Sequence, residues 1–144
     1  MTRFAQGTYT VKNTDKYVGR GQPRYRSSWE LAFMTFCDNN QHILSWASES
    51  IRIPYVNPIT GKGSIYVPDF FITYQDKAGT THAEVVEIKP KKQSLIESRA
   101  SSRDRAVVAV NYAKWSAATK FCQRAGLGFR VVTEEDLWHQ GGKR

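Results

Sequence analysis

Between Ser50 and Lys89 the chain is written almost entirely in strand and turn residues, and this block limits what the whole can become. Ser50–Tyr55 (SIRIPY) alternates, with Ile51 and Ile53 on one face. Asn57-Pro58 and Gly61–Gly63 mark a turn. Ser64–Tyr74 (SIYVPDFFITY) is dense in aromatic and β-branched residues and reads as a second strand. Pro68 inside it demands an edge position or a local irregularity, because proline donates no ladder hydrogen bond. Asp76–Gly79 is a second turn, and His82–Lys89 (HAEVVEIK) is a third strand, stopped by Pro90.

Helical signals flank the block. Ser27-Ser28-Trp29-Glu30 fits the S-x-x-E capping box. Trp29, Phe33, Phe36 and Cys37 follow at helical spacing, which predicts a helix over 28–40, ended by Asp38-Asn39-Asn40. Beyond the third strand, Arg105–Ala125 repeats Val107, Val110, Ala118, Phe121 and Cys122 at helical intervals, with Gly126 placed to end it. Phe129–Thr133 is a fourth strand, and Thr133–Asp136 resembles a cap opening a short C-terminal helix to about residue 140. The order is α-β-β-β-α-β. Three sequential strands make an antiparallel meander, and the long helix crosses over to lay the fourth strand into the same, mixed central sheet. The expected fold is a small α/β sandwich over residues 27–140, preceded by a basic, extended arm at 1–26 and followed by a tail at 141–144. A chain of 144 residues has room for one such core.

Charge sharpens the reading. The net charge is +8, which favours a polyanionic partner. Residues 1–28 carry +5, residues 29–88 carry −4, residues 89–105 carry +4 and residues 106–144 carry +3. An acidic middle inside a basic frame suits a metal-dependent enzyme acting on a polyanion. No apolar run approaches the roughly 18 residues that span a bilayer, and the N-terminus lacks a signal-peptide core, so the expected setting is cytoplasmic, with no membrane partner. Cys37 and Cys122 stand far apart, and His42, His82 and His139 are isolated. Neither a disulfide nor a zinc site is expected, and the cysteines read as small buried hydrophobes.

Four residues carry chemistry: Glu30, Asp69, Glu87 and Lys89. Strand interiors disfavour Asp, so Asp69 asks for a reason. Glu87 and Lys89 are two apart and share a face, with Val86 and Ile88 on the other. Pairing through the Asp76–Gly79 turn brings Asp69 roughly opposite Glu87. Two like charges so placed repel, and a divalent cation turns that cost into a binding site. Oxygen ligands with retained waters suit Mg²⁺. Glu84 falls on the opposite face. Glu49 is a weaker candidate for which a surface position fits better.

Pro68-Asp69 followed by Glu87-Ile88-Lys89, behind a helix bearing Glu30, resembles the PD-(D/E)xK nuclease superfamily, whose restriction-endonuclease-like core has the same element order. MTRFAQGTY, the stretch from Tyr25 to Glu49, IPYVNPITGK, IYVPDF, HAEVVEIKP and FRVVTEEDL resemble the head completion nucleases of T-even-type tailed bacteriophages. A more distant likeness, on the catalytic pattern, is to TnsA transposition endonucleases. The resemblance implies a deoxyribonuclease that uses Mg²⁺, with Mn²⁺ as a substitute, and cuts double-stranded DNA during head completion and head-tail joining in the infected host cytoplasm. It implies Asp69, Glu87, the Ile88 backbone carbonyl and Glu30 as metal ligands, with Lys89 beside the attacked phosphate. Phage head or portal-neck proteins would be its partners, and it would act as a monomer or homodimer. The rival readings are another nuclease of the superfamily, TnsA-like or a junction resolvase, and a non-catalytic DNA-end-binding virion protein. Lys12, Lys16, Arg20, Arg24, Arg26, Lys91, Lys92, Arg99, Arg103 and Arg105 are the candidate DNA-binding residues, chiefly through phosphate.

Overall fold

The structure, a computed structural model, describes residues 6–90, 102–133 and 135–136. Its elements are β1 (Gly7–Thr8), β2 (Arg24–Tyr25), α1 (Ser28–Asn39), β3 (Ile43–Ser48), β4 (Ile53–Val56), β5 (Gly63–Tyr66), β6 (Phe70–Gln75), β7 (Thr81–Ile88), α2 (Ser102–Ala125) and β8 (Gly128–Val132). The central sheet has the order β3-β6-β7-β8. β3, β6 and β7 pair antiparallel, and β8 lies parallel to β7. The crossover through α2 therefore delivers a mixed sheet, as the element order predicts.

α1 begins where the capping signal puts it. Ser27 is extended and its hydroxyl accepts the Glu30 N–H at 3.1 Å. The return arm differs slightly from a strict capping box, because Glu30 Oε1 accepts the N–H of Arg26 rather than that of Ser27. At the far end of α2, Gly126 takes φ +76, a left-handed value that suits glycine after a helix C-terminus.

The two sheet faces bury different partners. On one, Phe33, Met34 and Cys37 of α1 meet Trp46, Phe70, Ile72, Val86, Ile88 and Val132. Fully burying an aromatic or aliphatic side chain such as Phe33 contributes about 1.5–3 kcal/mol. On the other, Ile53 and Tyr66 of the β4–β5 hairpin pack with Ala118, Trp115 and Phe121 of α2 and with Phe129 of β8. Cys37 and Cys122 are free and buried, as expected.

Several expectations need correction. The segment Ile43–Ser48 is an edge strand of the central sheet that the alternation did not reveal. A register shift between Ile43 and Ser45 breaks its period of two, so that Ile43 and Trp46, three apart, enter the same core, while Ala47 is buried on the other face. The expected strand Ser50–Tyr55 narrows to β4 and pairs with β5 in a separate hairpin, outside the central sheet. The expected strand Ser64–Tyr74 is two strands. Pro68, fully buried, divides β5, which belongs to the hairpin, from β6, which belongs to the sheet. The three-strand meander is thus β3-β6-β7, and Asp69 precedes β6 instead of sitting mid-strand.

α2 uses Val108, Asn111, Ala118 and Cys122 as its buried stripe, whereas Val107 is 39% exposed. The N-terminal stretch is extended but not detached: β1 pairs with β2, and Tyr9 and Val11 enter the core. The buried Asp38 anchors it, accepting the Tyr9 hydroxyl at 2.7 Å and the backbone N–H groups of Lys12 and Asn13 at 2.8 and 3.0 Å. The expected C-terminal helix lies outside the described residues beyond Asp136, but its cap forms, with Asp136 Oδ2 accepting the Thr133 N–H at 2.9 Å.

Candidate active site

Register fixes the centre of the site. Phe70 pairs with Val86 across β6 and β7, so the next position outward sets Asp69 opposite Glu87. Pro68 ends one strand and frees the Asp69 backbone from regular pairing. Its N–H donates to Glu87 Oε1 at 3.3 Å. In return Asp69 Oδ2 accepts the Ile88 N–H at 2.7 Å. Each carboxylate is thus held by the other's strand. Val86 and Ile88, pointing away, are buried against the α1 side, which locks the rotation of β7 and commits Glu87 to the opposite face. Lys89 is fixed by its own N–H, which donates to the Val132 carbonyl of β8 at 3.0 Å. Its ammonium lies 3.6 Å from Glu87 Oε2.

The pair is electrostatically strained. Burial, then the charge of Glu87, holds the Asp69 carboxyl well above the usual carboxylate range. Burial also raises Glu87, although Lys89, Tyr66, the Asp69 N–H and Lys114 all favour its charged form. Desolvation and mutual repulsion dominate over those favourable partners.

Glu30 enters the same neighbourhood from the start of α1. Burial raises its carboxyl, against the Arg26 N–H and the Arg26 charge, and its own charge in turn acts on Asp69. It does not close a ready-made cage: among the described residues no three Asp, Glu, His or Cys side chains are gathered as a preformed cation site. The donors that face each other are those of Asp69 and Glu87. Two hard carboxylates with the remainder of the shell left to water is an arrangement that Mg²⁺ accepts, so this donor set fits that ion.

Other expected residues divide. Lys12, Arg20 and Arg24 are exposed, as are Arg103 and Arg105 at the start of α2. Arg26 is exposed and pairs with Glu49 Oε2 at 2.8 Å. Lys16 is committed elsewhere, its ammonium donating to the Asp38 and Asn40 carbonyls at 3.1 and 2.8 Å, where it caps the end of α1. Lys91, Lys92 and Arg99 lie outside the described residues. Glu84 bonds the Tyr74 hydroxyl and pairs with Arg130, clear of the site.

Of three further neighbours, sequence marks Glu49 only as a weaker candidate and does not mark Tyr66 or Lys114. Glu49 donates its N–H to the Asp69 carbonyl at 2.9 Å and adopts φ +51, a strained value for a residue other than glycine. Tyr66, two residues before Pro68, lies buried beside Glu87. Lys114 reaches over from α2. Only long-range packing brings Lys114 in, and no local pattern marks it.

A family model described as TnsA-like endonuclease N terminal matches residues 40–134, the span that contains Asp69, Glu87, Lys89 and all four central strands. The chain belongs to this TnsA-like endonuclease family. It is also related along nearly its whole length to the head completion nuclease of Enterobacteria phage T4. The two are 34% identical over 150 aligned positions, covering 95% of this chain and 96% of that protein.

Proposed function

We propose that this protein is a metal-dependent deoxyribonuclease of the PD-(D/E)xK type that acts in phage head completion, where filled heads are made ready for tail joining. The observation that carries the reading is the facing pair Asp69–Glu87 with Lys89 two residues on. The kinship with a phage head completion nuclease supports the setting. Asp69 and Glu87 hold Mg²⁺, with Mn²⁺ as a substitute and the Ile88 carbonyl as a further ligand. Glu30 contributes through water. The bound ion supplies Lewis-acid polarisation of the scissile phosphate and a more acidic water.

The chain's own groups do the rest. The Ile88 N–H fixes one Asp69 oxygen, which leaves the other for ligation. The Asp69 N–H orients Glu87 in the same way. Lys89, 3.6 Å from Glu87 Oε2, positions the attacking water and offsets charge building on the phosphate. Arg20, Arg24, Arg103 and Arg105 grip the DNA backbone and read little sequence.

Cleavage of linear, nicked, branched and circular duplexes of the same sequence tests the reading. Mg²⁺-dependent cutting with little dependence on sequence is expected. Cutting confined to four-way junctions would point instead to a resolvase, and binding without cutting to a DNA-end-binding protein.

A further inference from the structure

Glu49, Asp69 and Glu87 fall in one row across three strands. Ser48 pairs with Phe70, and Phe70 with Val86, so the next position outward sets Glu49 beside Asp69 and Asp69 beside Glu87. Asp69 and Glu87 belong to the site already described. Glu49 is tied to it by backbone, its N–H donating to the Asp69 carbonyl at 2.9 Å. At that point the chain leaves β3 with φ +51. Glycine adopts this left-handed backbone freely and a residue with a side chain does not, so the turn itself gives no reason for a glutamate. Strain of this kind persists where the surroundings hold it, and here the side chain is held as well as the N–H.

Glu49 Oε2 accepts a hydrogen bond from the Arg26 guanidinium at 2.8 Å. Arg26 stands between β2 and the Ser27 cap, and its backbone N–H donates to Glu30 Oε1 at 3.1 Å. Its backbone is therefore joined to one carboxylate of the site, and its side chain to a residue joined to another. Glu30 and Asp69 both add to the negative field around the guanidinium, after Glu49 itself. The Arg26 side chain is still 54% exposed, so a ligand from solvent can reach it. A guanidinium carries five N–H donors in a planar fork, and the pair with Glu49 does not enclose them. An ion pair this exposed adds little to stability. Its effect is to restrict a long, flexible cation to one edge of the carboxylate row.

Resting on the nuclease reading above, we propose that Glu49 is a positioning residue that holds Arg26 at the edge of the Asp69–Glu87 pair, where the guanidinium contacts the phosphate being cut. Arg26 thereby differs from the arginines that grip the DNA backbone elsewhere. It meets charge building on the reacting phosphate from the β3 end of the row, as Lys89 does from the β7 end. Its fork suits two phosphate oxygens at once.

Single-turnover nicking of supercoiled plasmid by the full-length protein tests this, with DNA and Mg²⁺ each varied and melting temperature measured in parallel. Arg26→Ala should lower the maximal rate at least tenfold and move half-saturation by DNA much less. Arg26→Lys should restore little, because an ammonium lacks the fork. Glu49→Gly separates positioning from structure. Glycine suits the left-handed backbone, so the melting temperature should hold or rise, yet the maximal rate should fall about 3- to 10-fold, on the scale of one lost positioning contact. Glu49→Gln keeps an acceptor for Arg26 and should recover most of the rate. Added to Arg26→Ala, Glu49→Gly should cost nothing further. Half-saturation by Mg²⁺ should not weaken in either Glu49 variant. A wild-type maximal rate in folded Glu49→Gly would overturn the proposal. So would losses that multiply in the double variant, or a weakened Mg²⁺ response, which would make Glu49 a metal ligand instead. In each of these cases the wild type still cuts, and the nuclease reading stands. A wild-type protein that cuts no DNA in Mg²⁺ removes both.

Discussion

Asp69 and Glu87 hold each other across β6 and β7: the Asp69 N–H donates to Glu87 Oε1 at 3.3 Å, and Asp69 Oδ2 accepts the N–H of the residue after Glu87 at 2.7 Å. The two carboxyls are locked together by backbone while their charges repel. A fold gains nothing from such an arrangement unless something positive sits between them, and this gives the structure its first measurable consequence.

Mg²⁺ should stabilise the wild-type protein. Ligand binding to the folded state alone contributes about 2.7 kcal/mol at a hundredfold excess over Kd, which raises the melting temperature by several degrees. In Asp69→Asn that rise should vanish, whereas the metal-free variant should melt at or above the metal-free wild type because the repulsion is gone. Differential scanning calorimetry with and without Mg²⁺ checks both signs.

The same pair sets a pH trend. Asp69 and Glu87 have folded-state values raised above those of an unfolded chain. Their contribution is fully present below the unfolded carboxylate range and is lost as pH rises through their raised values. The metal-free Asp69→Asn variant should therefore gain most, relative to wild type, at neutral pH, and the difference should shrink on acidification. Melting curves across that range in EDTA test it.

Asp38 runs the other way. Burial pushes its carboxyl up, but the Tyr9 hydroxyl and the Lys12 and Asn13 N–H groups outweigh that and leave it below its usual value. Its stabilisation is present above the ordinary carboxylate range and is lost as pH falls through the lowered value. Asp38→Asn should cost about 2–3 kcal/mol, the scale of hydrogen bonds to a charged group. Amide exchange should rise first in residues 9–13, which Asp38 ties down.

Lys16 separates structural from DNA-binding charge. Because its ammonium caps α1, Lys16→Ala should lower stability and leave the salt slope of DNA binding close to wild type. Arg20→Ala, at an exposed position, should do the reverse. Urea denaturation and salt-dependent binding on the two variants distinguish them.

Much of this site could be read from the chain because its parts are local. The Ser27 cap places Glu30, and a turn at Asp76–Gly79 sets a register that brings Asp69 to Glu87 by counting alone. Alternation then turns Glu87 and Lys89 to one face. What escaped notice depends on events that leave no periodic trace. The bulge in β3 hides an edge strand of the central sheet whose Trp46 is fully buried. Pro68 divides what reads as one strand between two sheets. Charge counting cannot tell Lys16, spent on carbonyls, from an exposed arginine, and it cannot see Lys114, which is brought to Glu87 only by the packing of α2 on the β4–β5 hairpin.

The central claim is that Asp69 and Glu87 hold a cation that cuts DNA, and a plasmid-nicking assay tests it most directly. Supercoiled plasmid is incubated with the wild-type protein in Mg²⁺ and in EDTA, beside folded Asp69→Asn and Lys89→Ala. The account predicts nicked and linear products only for the wild type with Mg²⁺, with the variants reduced at least a hundredfold, on the scale of losing a preorganised electrostatic group. Cleavage by the wild type in EDTA, or wild-type cleavage by Asp69→Asn, would contradict it.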